Sequence, residues 1–74
     1  VTLYHFQIID PSGLRRDAKS ALLPDMEAVW EQIATLASAR DAEGRQIRVT
    51  NEAGGIVVLV GVSTARRLHS LRAA

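Results

Sequence analysis

Seventy-four residues, 47% apolar and 23% charged, with a formal net charge of +1 and no cysteine, leave room for one domain with a single thin core. That composition excludes a collagen, a coiled coil or a disulfide-stapled scaffold. No apolar run approaches the roughly 18 to 20 residues of a membrane helix, the longest being Ile56 to Val62, so no membrane-spanning role is expected. Residues 1–20 are interrupted by Asp10, Pro11, Arg15 and Arg16 where a signal peptide needs an apolar stretch, and a cytoplasmic chain is expected.

Thr2 to Ile9 is rich in β-branched and aromatic residues, with Tyr4, Phe6 and Ile8 on one side and Leu3, His5, Gln7 and Ile9 on the other, and reads as a strand. Asp10-Pro11-Ser12-Gly13 is a turn, since proline presets φ and glycine supplies a positive φ at little cost. Leu14 to Asp17 is then either a brief edge strand, blunted by Arg15 and Arg16, or a loop. Pro24 keeps Leu23 out of a helix, Asp25 supplies an N-cap and Glu27 an acid in the first turn. Met26, Val29, Trp30, Ile33, Leu36 and Ala37 form one apolar stripe, and the spacing predicts a helix from about Met26 to about Glu43, with Arg40 near its last turn and Gly44 as its stop.

Gln46 to Thr50 alternates as a half-buried strand, Asn51-Glu52-Ala53-Gly54 reads as a hairpin loop, and Ile56 to Val62 is a strand apolar on both faces. Ser63 or Thr64 can cap a last short helix, Ala65 to Arg72. Charge is uneven along the chain. Residues 1–62 carry six basic and eight acidic side chains, whereas residues 63–74 carry Arg66, Arg67 and Arg72 and no acid.

The order is ββαββ, an α+β domain over residues 1–62 in which a small antiparallel sheet packs on one long helix, followed by a basic C-terminal helix or tail over residues 63–74. One helix covers one face of a sheet. Alternation puts Ile56, Val58 and Val60 on one side of the last strand and Val57 and Leu59 on the other, so the set away from the helix needs a second cover. The candidates are the terminal helix folding back through Leu68 and Leu71, a second copy of the chain, or another protein. A partner is favoured.

Tyr4-His5-Phe6-Gln7-Ile8, Asp10, Asp17, Leu22-Leu23-Pro24-Asp25-Met26-Glu27-Ala28 and Val49-Thr50-Asn51-Glu52-Ala53-Gly54 together resemble a family of short alphaproteobacterial domains of unknown function. Its pattern begins Tyr-Phe-Phe-x-Ile-x-Asp-Gly and continues through Leu-Pro-Asp to Asp-Glu-x-Gly. The resemblance spans residues 3–62 and implies a compact α+β fold and no activity. This chain departs from it with His5 in place of Phe, Pro11-Ser12 in place of Gly, Ser20 in place of Gly, and Val60-Gly61-Val62 in place of Val-Pro-Phe. The element order is also similar, more loosely, to HicB-like antitoxins, without their Pro-Asp-x-x-Gly loop.

Chemistry-bearing residues are sparse. His5 can exchange protons near neutral pH, but a half-exposed strand position is its simpler role; His69 belongs to a solvated basic face. Asp10 and Asp17 bracket a turn without the register of a calcium loop. Glu27 and Glu31 are like charges on one helix face rather than facing carboxylates. Gly54-Gly55 precedes a strand and lacks the residues of a phosphate loop. The serines at 12, 20, 38, 63 and 70 have no nucleophile-elbow context. Trp30 belongs to the core stripe. No catalytic, cofactor-binding or metal residue is expected, and His5 with Asp17 is the least implausible acid–base pair an enzyme would have.

The expected function is a non-enzymatic protein-binding or oligomerisation module. Its partner would be itself, as a dimer, or an acidic protein, met through Val57, Leu59, Arg66, Arg67 and Arg72. The alternative is an antitoxin-like or nucleic-acid-associated regulator, which three arginines alone support only weakly.

Overall fold

The computed structural model describes residues 1–39 and 42–73, except for the side chains of residues 72 and 73. Among these residues the chain runs β1 (Thr2–Ile9), β2 (Arg15–Leu23), α1 (Met26–Ala37), β3 (Gln46–Thr50), β4 (Ile56–Gly61) and α2 (Val62–Ala73). The strands form one antiparallel sheet in the order β2-β1-β3-β4. The α+β class and antiparallel sheet agree with the sequence reading. The order is ββαββα, and the one long helix is replaced by two of equal length.

Asp10 organises the first turn. Its Oδ1 accepts from the backbone N–H groups of Ser12 and Leu14, each at 3.0 Å, and from the Ser12 hydroxyl at 2.6 Å, while Gly13 takes a φ of +90°. With the turn fixed, β2 pairs with the whole of β1 and extends for nine residues, where a brief strand or a loop was expected. Its charges hid it. Ala18 is an extra residue opposite the Phe6/Gln7 step, so the alternation of β2 is broken in the middle.

Asp25 caps α1 by accepting from the Ala28 N–H at 2.9 Å. The helix ends at Ala37 instead of running to Glu43. At that end the carbonyls of Ala37 and Ala39 accept from the guanidinium of Arg66, at 2.6 and 3.2 Å. The chain instead tightens into three-residue turns, Ala42 N–H to Ala39 at 3.1 Å and Arg45 N–H to Ala42 at 3.0 Å, and reverses at Gly44 with a φ of +76°. Arg40 lies outside the described residues.

Between β3 and β4, Asn51 closes the hairpin: its Oδ1 accepts from the N–H groups of Ala53 and Gly55, and Gly54 takes a φ of +87°. After β4 the chain passes directly into α2 at Val62, whose N–H donates to the Arg45 carbonyl at 2.9 Å. The helix expected from Ala65 therefore starts earlier, and Val62 and Ala65 lie in the core.

One core serves the whole molecule. Phe6, Ile47 and Val49 from the sheet meet Val29, Ile33 and Ala37 of α1 and Val62 and Ala65 of α2. Trp30, Leu36, Val58 and Val60 pack around it, half-buried, whereas Met26 of the expected stripe is exposed. The molecule is thin, 33 × 29 × 16 Å between its Cα extremes, as two layers require. Ile33 lies at the centre with no exposure. Ile33→Ala should destabilise the fold by about 2–5 kcal/mol, a large part of the roughly 5–15 kcal/mol available to any domain. Urea unfolding followed by Trp30 fluorescence reads this directly, and a loss under about 1 kcal/mol would contradict the single-core description.

Candidate functional site

Both helices lie on one side of the sheet. α1 packs against β2 and β3, and α2 packs against α1 and β4, drawn there by Val62, Ala65 and Arg66. Of the covers weighed for the opposite face, the terminal helix through Leu68 and Leu71 is not the one: both leucines are exposed, and the far face of the sheet has no cover among the described residues.

The apolar residues on that face differ from those alternation assigned. Val49 pairs with Val58 and Thr50 with Ile56, so Val57 is the extra residue of a bulge. The bulge moves Ile56 to the side of Thr50, Arg48 and Leu59. The uncovered pair is Ile56 and Leu59, 58% and 55% exposed, while Val57 is half-buried. Pattern alone could not show this, because one inserted residue reverses the parity of everything before it.

Polar side chains fill the middle of the uncovered face in cross-strand rows. Ser20, His5 and Thr50 form one row, with His5 Nδ1 2.8 Å from the Ser20 hydroxyl oxygen. Asp17, Gln7 and Arg48 form the next, with Gln7 Nε2 donating to Asp17 Oδ1 at 3.1 Å. His5, Gln7, Asp17, Ser20 and Thr50 line one depression of about 400 Å³. Within it Asp17 is engaged by Gln7 and His5 by Ser20. Gln7 Oε1 and Arg48 Nε, on paired positions of β1 and β3, are buried with no hydrogen-bond partner among the described residues. Nothing in the sequence singled out Gln7 or Arg48, since their meeting depends on strand register.

The expected arginines separate. Arg66 is built into the fold: besides the two carbonyls of the α1 end it pairs with Glu43 at 2.8 Å. Arg67 is exposed on α2, and the Arg72 side chain lies outside the described residues. A different basic group forms at the β1–β2 turn, where Arg15, Arg16 and Arg45 line a depression of about 310 Å³ with Ile8, Asp10 and Leu14. Asp10 and Asp17 do not converge. No group of three metal-ligating side chains occurs among the described residues, and no helix among them is long and apolar enough to cross a membrane. Comparison with protein-family models, curated proteins and solved structures finds no match.

Two outcomes follow from these contacts. Hydrogen bonds from a charged donor contribute roughly 1.5–3 kcal/mol, whereas an exposed ion pair contributes about 0–1 kcal/mol. Arg66→Ala should thus cost about 1.5–3 kcal/mol in urea unfolding and Glu43→Gln under about 1 kcal/mol; equal losses would show that the ion pair, not the carbonyl contacts, carries the interaction. At the turn, the Ser12 hydroxyl holds the Asp10 carboxyl below its ordinary value of 3.8, aided by the Leu14 and Ser12 N–H groups and by Arg45. A depressed folded value stabilises the turn above pH 3.8 and ceases to do so as pH falls through the lower value. Carboxyl NMR should find Asp10 titrating below 3.8 and Ser12→Ala moving it upward. An unchanged titration in Ser12→Ala would show that the hydroxyl is not the cause.

Proposed function

We propose that this chain is a non-enzymatic association module that pairs with a second copy of itself. One observation carries the reading: Ile56 and Leu59 stay in water although α2, the only further element described, was free to cover them and instead joins α1. Each such side chain forgoes roughly 1.5–3 kcal/mol of burial, which a two-layer domain of this size regains only against another surface. A copy of the same chain fits better than a strongly charged partner, because Ile56 and Leu59 lie on β4, a strand that carries no charge. His5 and Asp17 bond different neighbours, so the depression does not bring them together as an acid–base pair. Sedimentation velocity from about 5 to 500 μM should show a mass rising above 8.0 kDa; a monomer throughout overturns the reading.

A second reading, association with nucleic acid, is favoured by the cluster of Arg15, Arg16 and Arg45 rather than by α2. Each phosphate neutralised on duplex DNA adds about −0.9 to the log–log salt slope. Anisotropy titration with a short duplex in about 20 mM salt should detect such binding if the reading holds, and a flat titration removes it.

A further inference from the structure

The two edges of the sheet are chemically opposite. Natural sheets protect a free edge with charges, bulges or covering segments. β2 has two of these devices, the charges of Arg15, Arg16, Asp17 and Lys19 and a bulge at Ala18. β4, Ile-Val-Val-Leu-Val-Gly, carries no charge and no proline along its length, and its own bulge sits at Val57, leaving Val58 to Gly61 regular. Its hydrogen-bonding side is available there. Val62 N–H bonds to Arg45, and antiparallel ladders alternate, so Val60 and Val58 face β3 while the N–H and C=O of Leu59 and the N–H of Gly61 face outward, the Gly61 carbonyl being taken by the first turn of α2.

A second observation points to the same end of the molecule. Of the eight large apolar side chains exposed among the described residues, four belong to β4 and to α2 beside it: Ile56, Leu59, Leu68 and Leu71, the last 67% exposed. From the sheet edge and the helix layer alike, this end presents apolar surface to water.

We infer that two copies join edge to edge, β4 against β4 and α2 against α2 about a two-fold axis, into one eight-stranded sheet. This rests on the association reading and specifies its surface. A strand edge is self-complementary under a two-fold, because with the axis at Leu59 the outward N–H and C=O of that residue in each copy bond those of the other. The same rotation brings the exposed leucines of α2 together on the helix side. The contact is about as long as α2, ~18 Å, and 16 Å deep, which places it among small, weakly associating interfaces, opposed further by Arg67 on each α2.

The test uses the full chain and three variants. Leu59→Pro removes an N–H that bonds nothing within the sheet, Leu71→Glu charges the helix side, and Leu22→Glu charges a comparably exposed leucine at the guarded edge. Circular dichroism first confirms folding. Sedimentation should then show association at least tenfold weaker for Leu59→Pro and Leu71→Glu and unchanged for Leu22→Glu, with hydrogen exchange at Leu59 and Gly61 slowing as the native chain is concentrated. Should Leu59→Pro fail to fold, Leu71→Glu and the exchange data decide. A native chain that associates while both variants match it, or while Leu22→Glu dissociates it, overturns the edge geometry and leaves the association reading standing. A native chain that never associates overturns both.

Discussion

Arg66 reaches from α2 to the C-terminal end of α1 and takes the two carbonyls, Ala37 and Ala39, that a longer α1 would have used itself. That contact ties the end of the first helix to the second beside it. The chain then reverses at Gly44, and β3 enters between β1 and β4. Because α2 is committed to the helix layer, the sheet keeps one uncovered face, and the exposed residues of β4 follow from that commitment. A basic residue near a helix C-terminus ordinarily comes from that helix's own last turn; α1 has none there, and Arg66 supplies it from 29 residues away.

The core this arrangement closes is narrow. The folded surface is 4708 Å², against roughly 11,600 Å² for an open chain of 8.0 kDa, so about 60% is buried and each central side chain counts for much. Phe6, on β1, is the one aromatic with no exposure, in the core shared with α1 and α2. Val49 and Ile47 flank it through the β1–β3 register, at Phe6↔Val49 and Ile8↔Ile47. Lys19, opposite Phe6 on the other side, has too long a stem to end in the core, and its ammonium emerges to meet Gln32 on α1. The sheet thus grades from an apolar centre to a charged margin at β2, whereas at β4 no such grading occurs.

Local chemistry was legible wherever it decided the structure. Asp25, Asn51 and the Asp10-Pro11-Ser12-Gly13 turn act through side-chain bonds spanning two to four residues, and such bonds can be read directly from residue order. What escaped reading was set at long range. The end of α1 is bound by Arg66, the extent of β2 depends on its pairing with β1, and the faces of β4 on a bulge whose partner is Thr50. Arg66 illustrates the limit well: in sequence it belongs to a basic tail with Arg67 and Arg72, and only the packing of α2 on α1 separates a fold-building residue from an exposed neighbour. Likewise Val57 and Ile56 exchange roles through one inserted residue, which no periodicity could assign.

The distribution of polarity on the uncovered face bears on how a partner can meet it. Protein interfaces place apolar groups at the centre and polar groups at the rim. Here the most exposed apolar groups lie at the margins: His5, Gln7 and Arg48 are on the two middle strands, in rows with Ser20 and Asp17 of β2, while Leu22 and the pair Ile56 and Leu59 lie on the two outer strands. Stacking two such faces would bury the polar rows, among them the His5–Ser20 and Gln7–Asp17 pairs, at about 1–3 kcal/mol for each group left unpaired. Joining two copies through β4 changes the geometry instead of the chemistry. In the proposed pair the rim of one sheet would become the middle of a wider one, Ile56 and Leu59 of both copies would lie side by side, and the polar rows would stay in contact with water.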